Sequence, residues 1–345
     1  MKAIYYKHLL HFKRPSGTSR GILKTKETWF LQIESNGKKG IGECGLLRGL
    51  SIDDRPDYEA RLQWTCDHID LGVDELWDAL KEFPSIQFGV EMAFASLASN
   101  HPFELFPSAF TRGQAQIPIN GLVWMGDQDF MAQQIKEKLE AGFNCIKMKI
   151  GAIATAKELA LLAGIREQCA ADQMTLRVDA NGAFSPAQAL KILEALANLE
   201  IHSIEQPIGV RQWDAMKRLC SETPTPIALD EELIGIFDKT QKRELLARVR
   251  PQYIILKPSF IGGFKGSTEW ITIADELGIG WWVTSALESN IGLNAITQWT
   301  YTLDVSMPQG LGTGSLYTNN FKSPLHIAQG KIGYDTNKEW QFNFK

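Results

Sequence analysis

NCIKMKIG, residues 144–151, is the stretch whose reading decides the fold. Cys145, Ile146, Met148 and Ile150 give it the apolar run of an interior strand, yet Lys147 and Lys149 alternate through it, and a period of two sends both to one face. An antiparallel strand with one wet side would turn them to solvent. The flanking sequence argues for the other face. From Ile117 onward short apolar stretches recur, IPINGL, CIKMKI, LRVDA, HSIEQP, PIALDE, YIILKP and GWWVTS, with helical sequence between them. QDFMAQQIKEKLEAG stops at Gly142, and SPAQALKILEALANL opens with Ser185 as N-cap and Pro186 at the first helical position. Strand–helix alternation of this length forces parallel pairing. Seven or eight such units within about 200 residues predict a (β/α) barrel rather than a doubly wound sheet.

Aligning the strands exposes a polar residue at the end of each: Lys149, Asp179, Glu205, Asp230, Lys257 and Ser285, at gaps of 30, 26, 25, 27 and 28 residues. Each gap is one βα unit, so all six converge on the C-terminal mouth of a barrel, where side chains serve chemistry. A single Asp closing a strand is usually the cap of the next helix. Three acids on three successive units, bracketed by lysines, are poorly explained that way. Lys147 and Lys149 then face the interior, beside the carboxylates of the next three strands.

Three carboxylates cannot stay ionised within a few Å of one another without a cation. Asp179, Glu205 and Asp230 offer hard oxygens only, which selects Mg²⁺ first and Mn²⁺ second. Three ligands leave positions for a substrate carboxylate. A nearby cation and the like-charged Lys147 lower the pKa of Lys149, so that it and Lys257, from opposite sides, can exchange the proton α to that carboxylate while the metal stabilises an enediolate.

Composition excludes other classes. The chain has 345 residues, 44% hydrophobic and 22% charged, with a net charge of -4 and no basic cluster longer than KTK or QKR, so nucleic acid is not an expected partner. No apolar run approaches the length of a membrane span, Lys7, His8 and His11 interrupt the start so that it is not expected to be a secretory leader, and five scattered cysteines without a C-x-x-C pair fit reduced thiols; the expected location is the cytoplasm. Residues 1–114 read as α+β, with alternation in AIYYKHL and TWFLQIES, an Asn36-Gly37 hairpin turn, and helical periodicity through YEARLQWTCDHI and VEMAFASLAS. Residues 115–316 form the barrel, and residues 317–345, ending in strand-like WQFNF, are expected to return to the first domain.

With KMK (147–149), RVDAN (177–181), IEQP (204–207), LDE (229–231) and LKP (256–258) in place, the chain resembles the enolase superfamily, specifically its muconate-lactonising subgroup, over almost its whole length. The resemblance implies a modified (β/α)7β TIM-type barrel with an α+β capping domain built from both termini. It implies Asp179, Glu205 and Asp230 as metal ligands, Lys149 and Lys257 as the acid/base pair, and Lys147, Asn181 and Glu231 as supporting groups. Substrate contacts are expected from Arg177, Ser285, Ser289, Gly312 and Thr313. The Gly-rich PQGLGTG, 308–314, opens no βαβ unit, so it is not a dinucleotide loop. Loops 14–21 and 45–51 would close over the mouth. The implied activity is a metal-assisted syn-dehydration of a succinylated hydroxycyclohexadiene carboxylate in menaquinone synthesis, with N-acyl amino acid racemisation or dipeptide epimerisation as the alternative. The mandelate-racemase branch needs a late His, and none falls between His202 and His326; the acidic pair by which dipeptide epimerases hold an ammonium is missing from 308–314.

Overall fold

The computed structural model describes residues 1–18 and 21–345. Apolar alternation at the N-terminus builds an antiparallel sheet of β1 (Lys2–Thr18), β2 (Gly21–Ser35) and β3 (Lys38–Cys44). The β2–β3 turn is the Asn36-Gly37 pair, with φ of 51° and 77°, the left-handed values a two-residue hairpin turn requires. The helices α1 (Tyr58–Asp67), α2 (Val73–Ala79) and α3 (Pro84–Ala98) cover the sheet. Helix α3 sits almost backbone to backbone on β3, because a Cβ on Gly42 would stand 1.8 Å from the Gly89 carbonyl oxygen. Trp29, Leu31, Ile33, Leu62, Leu76, Ile86 and Val90 form a core separate from that of the barrel.

IPINGL, expected as one strand, is two. β4 (Gln116–Pro118) pairs with the C-terminal hairpin, and β5 (Gly121–Val123) begins the barrel. The split follows Pro118, which has no N–H to continue a ladder. The βα units are then α4 (Gln128–Glu140), β6 (Cys145–Lys149), α5 (Thr155–Gln168), β7 (Thr175–Asp179), α6 (Pro186–Ala197), β8 (Ser203–Glu205), α7 (Trp213–Glu222), β9 (Ile227–Leu229), α8 (Lys239–Val249), β10 (Tyr253–Leu256), α9 (Pro258–Ile261), α10 (Gly263–Leu277), β11 (Gly280–Val283) and α11 (Asn290–Thr302). β5 to β11 lie side by side in chain order, all parallel. Single-residue bridges, Thr284 to Gly310 and Ile119 to Gln309, supply the eighth stave, so the architecture is a (β/α)7β barrel. Ser185 caps α6 in a reciprocal capping box with Gln188.

The last segment forms an antiparallel hairpin, β12 (Leu325–Ala328) and β13 (Lys331–Tyr334), which extends β4. WQFNF, expected as a strand, makes one isolated bridge, Lys322 to Gln341, because its aromatics are used for packing. Trp340 stacks on Phe103 at 4.4 Å, Phe342 meets Phe30 at 6.1 Å, and Lys345 exchanges two hydrogen bonds with the Gln32 amide. The C-terminus therefore lies on the N-terminal sheet. In the 14–21 stretch, residues 14–18 and Gly21 belong to β1 and β2 and are not a free loop; Ser19 and Arg20 lie outside the described residues. No described helix is long and apolar enough to cross a membrane, and the five cysteines are unpaired.

Candidate active site

Parallel register carries the strand-end residues together: Lys149 is opposite Asp179, and Asp179 opposite Glu205. Asp230 and Lys257 each follow their strand by one residue. Asp179, Glu205 and Asp230 are 1%, 0% and 2% exposed, so their charges are desolvated and need partners. The lysines are those partners. Lys147 Nζ contacts Asp179 Oδ2 at 3.0 Å and Glu205 Oε2, Lys149 Nζ contacts Asp179 Oδ2 at 3.0 Å, and Lys257 Nζ contacts Asp230 Oδ2 at 2.5 Å.

Burial alone would discharge Lys147, but Asp179, Glu205 and Asp230 hold its ammonium above the ordinary lysine range. Lys257 is pushed up likewise, burial being outweighed by Asp230 and Glu231. Burial works against Asp179 too, yet the three lysines keep its carboxyl well below the usual range, while burial beside Asp179 and Asp230 pushes Glu205 up to about 7. Lys147 and Lys257 are therefore cations of the cluster, Lys257 not the free amine expected, because their carboxylate neighbours outweigh burial.

Two strained residues support the cluster. Asn181 and Gln206 have φ of 45° and 38°, a conformation costing a non-glycine residue on the order of 1 kcal/mol. Asn181 accepts from Lys149 Nζ at 2.6 Å, donates from its own N–H to Asp179 Oδ1 at 3.0 Å, and donates from Nδ2 to Glu231 Oε1 at 2.9 Å. Gln206 is absent from the sequence reading. Its Oε1 accepts from the N–H groups of Asp230 (3.3 Å) and Glu232 (3.2 Å), tying the Asp230 turn to β8. An amide beside a strand-end Glu in IEQP was the available signal.

A cavity of about 570 Å³ opens above the cluster. Lys147, Lys149, Asp179, Asn181 and Lys257 reach it, Leu47 and Leu50 enter from the 45–51 loop, and Trp124, Phe260 and Leu287 give it apolar walls. Ser285, Gly312 and Thr313 line one side, with Ser285 Oγ and Thr313 Oγ1 sharing a hydrogen bond at 2.7 Å. Two expected substrate contacts lie elsewhere. Arg177 points inward one layer below, fully buried over the Trp282 ring at 4.0 Å and donating to the Pro308 carbonyl. Ser289 caps α11 and donates to Glu43. Strand parity sends Arg177 to the interior but two residues too deep, and Ser289 is claimed by the helix it starts. Asn120, which the sequence did not single out, lines the cavity with a buried Oδ1 that has no partner. Among the described residues Asp179 is the only acidic side chain on the cavity wall.

As the side chains stand, no described group of three or more His, Cys, Asp or Glu is arranged to hold a metal ion, because the lysines occupy the carboxylate oxygens. The donor set nonetheless fits a hard divalent cation: three buried carboxylates, with Glu205 Oε1 lacking any hydrogen-bond partner.

Comparison with known proteins identifies relatives of the whole chain. Residues 130–337 match the model of the enolase C-terminal domain-like family. The o-succinylbenzoate synthase of Desulfotalea psychrophila is 47% identical over 96% of this chain and 99% of its own length. The crystal structure of MenC from D. psychrophila LSv54 superposes with a TM-score of 0.86 at 42% identity, over 96% of this chain and 99% of that one. The muconate lactonizing enzyme of Pseudomonas putida shares the fold, with a TM-score of 0.78 at 21% identity over 96% of this chain and 93% of that one. Strand-end lysines and acids on a (β/α)7β barrel, together with these matches, show that the chain belongs to the enolase C-terminal domain-like family.

Proposed function

We propose that this chain is an o-succinylbenzoate synthase, a hydro-lyase that dehydrates 2-succinyl-6-hydroxy-2,4-cyclohexadiene-1-carboxylate in cytoplasmic menaquinone synthesis. The observation that carries the reading is the pairing of Lys149 and Lys257 across a buried carboxylate trio, in a cavity whose only acidic lining residue, among those described, is Asp179, already engaged by lysines. Near-full-length similarity to a synthase supports it.

Asp179, Glu205 and Asp230 would hold Mg²⁺, with Mn²⁺ as the second choice. Bound there, the cation stabilises the negative charge that develops on the substrate carboxylate. Lys149 donates to Asp179 Oδ2 and to the Asn181 amide oxygen, and reaches the cavity. Lys149 takes the proton α to the carboxylate and returns it to the hydroxyl leaving from the same face; the C–H and C–O electron pairs become the new C=C bond and the lone pair of the departing water. Lys257 faces the opposite side, and its ammonium balances the developing charge. Lys147 offsets Asp179 and Glu205, while Asn181 and Glu231 orient the cluster. Ser285, Thr313 and the Gly312 backbone would receive the succinyl carboxylate. Leu47, Leu50 and Phe260 suit the ring.

N-succinyl amino acids would satisfy the same cationic cavity, whereas a dipeptide ammonium would have only Asp179 to meet. The deciding assay offers the purified protein the cyclohexadiene acid and, separately, N-succinyl amino acids in D₂O with Mg²⁺. Fast dehydration with no racemisation and no α-deuteration is expected; rapid racemisation with negligible dehydration would overturn the assignment.

A further inference from the structure

Behind the loop that carries Ser285 lies a second set of buried ions that the chemistry above does not use. Lys26 of β2, Glu43 of β3 and Glu288 after β11 are 3%, 0% and 0% exposed. Glu43 reaches from the N-terminal sheet into the first turn of α11. Its Oε1 accepts from Thr28 Oγ1 and the Ser289 N–H, both at 2.9 Å; its Oε2 accepts from Ser289 Oγ at 2.5 Å and the Gly292 N–H at 2.9 Å. Glu288 accepts from Ser259 Oγ and from the Ala286 N–H, each at 2.6 Å. Ser259 is two residues beyond Lys257, and Ala286 is one beyond Ser285. The two carboxylates thus fasten the segments that present a lysine and a hydroxyl to the cavity.

Each carboxylate oxygen already has a donor, so what the pair lacks is positive charge. Lys26 Nζ lies near Glu43: a Cβ on Gly45 would stand 3.0 Å from that nitrogen and 3.5 Å from Glu43 Oε1. The nitrogen makes no hydrogen bond, and burial pulls its pKa down while the charges of Glu43 and Glu288 oppose that shift. A buried ammonium without hydrogen bonds is held only by such charges.

We infer that Lys26 is a positioning residue: its ammonium balances Glu43 and Glu288, and so couples the seating of the N-terminal sheet to the placement of Lys257 and Ser285. Without it two buried like charges repel. Separating them draws on the Ala286, Ser259 and Ser289 contacts, because those are what the carboxylates hold. The kinetic half of the test rests on the dehydratase reading; the exchange half does not.

The test compares Lys26→Met, Lys26→Arg and Lys26→Met/Glu43→Gln with wild type, by amide hydrogen exchange over residues 284–293 and by dehydration kinetics. Lys26→Met is expected to speed exchange at Ala286, Ser289 and Gly292 and to lower kcat/KM by about 10- to 100-fold, chiefly in kcat, as losing a supporting group does. Lys26→Arg should recover most of both, and the charge-compensated double variant should recover exchange at Ala286, whereas Ser289 and Gly292 there lose one acceptor of the Glu43 carboxylate. Wild-type exchange and kcat in Lys26→Met would overturn the inference, as would equal losses in Lys26→Met and Lys26→Arg. If Lys26→Met does not fold, Lys26→Gln carries the test: exchange must rise at Ala286, whose N–H is held by Glu288, and unchanged exchange there refutes the coupling. If wild type does not dehydrate the cyclohexadiene acid, the exchange arm still decides.

Discussion

Gly42→Ala tests the contact on which the capping sheet depends. The added Cβ would stand 1.8 Å from the Gly89 carbonyl oxygen, where real Cβ atoms essentially never come within 3.0 Å. β3 and α3 must therefore part by about 1 Å along backbone that has no side chain to swing aside. Gly89 cannot retreat freely, since its own Cβ position is 2.2 Å from Cys44 Sγ. Overpacking of this kind costs about 1–3 kcal/mol, and a backbone-to-backbone clash belongs at or above the top of that range. The control is Gly164 inside α5, where a Cβ meets nothing within 4 Å. There alanine should add about 0.5–1 kcal/mol, the helix-interior cost of glycine. Urea unfolding followed by tryptophan fluorescence, with the midpoint concentration compared at constant m, measures both. A destabilisation below about 0.5 kcal/mol for Gly42→Ala would show that the sheet yields where the packing says it cannot. Because β3 runs into the loop bearing Leu47 and Leu50, KM should rise more than kcat falls.

Chelation with EDTA should abolish turnover and Mg²⁺ restore it, and Asp179→Asn, Glu205→Gln or Asp230→Asn should each lower kcat by about 10²- to 10³-fold or more; undiminished turnover after chelation would end the metal reading. Hydrogen exchange across residues 45–51 should slow when o-succinylbenzoate binds, since Leu47 and Leu50 line the cavity, and unchanged rates would detach that loop from the site. Asp53 supplies a pH test away from the active site. It is fully buried, accepts from the Ser85 N–H and Oγ, and burial raises its carboxyl from 3.8 to about 6. The folded state then binds more protons than the unfolded one in that window, so this contribution to stability, complete below about pH 4, is lost as pH rises to about 6, by about 3 kcal/mol. Asp53→Asn should flatten the window, and an unaltered stability–pH slope would refute it.

The barrel and its ring of polar ends were legible because each depends on a short-range rule. Lys147 and Lys149 declare a shared face by parity, and the spacing from Lys149 to Ser285 counts βα units. Asn36-Gly37 and Ser185-Pro186 state their turn and cap locally. What failed depends on partners distant in the chain. Nothing within IPINGL says that its first half will pair with residues 331–333, or within WQFNF that its rings will lie on Phe103 and Phe30. Ser289 has the chemistry of a substrate contact and of a helix cap; only Glu43, 246 residues away, shows which one prevails. Arg177 faces the interior as its parity demands, but depth along a barrel axis is not written in parity.

The seat of the C-terminus on the N-terminal sheet has a consequence for biosynthesis. Gln32 is synthesised 313 residues before the Lys345 that covers it, and Phe30 comes correspondingly ahead of Phe342. At 5–20 residues per second the sheet waits roughly 15–60 s with that face uncovered. A nascent chain in this condition offers chaperones an apolar strand surface over that interval, and pausing between the barrel and Phe342 would lengthen the exposure at the stage when the barrel has already been made.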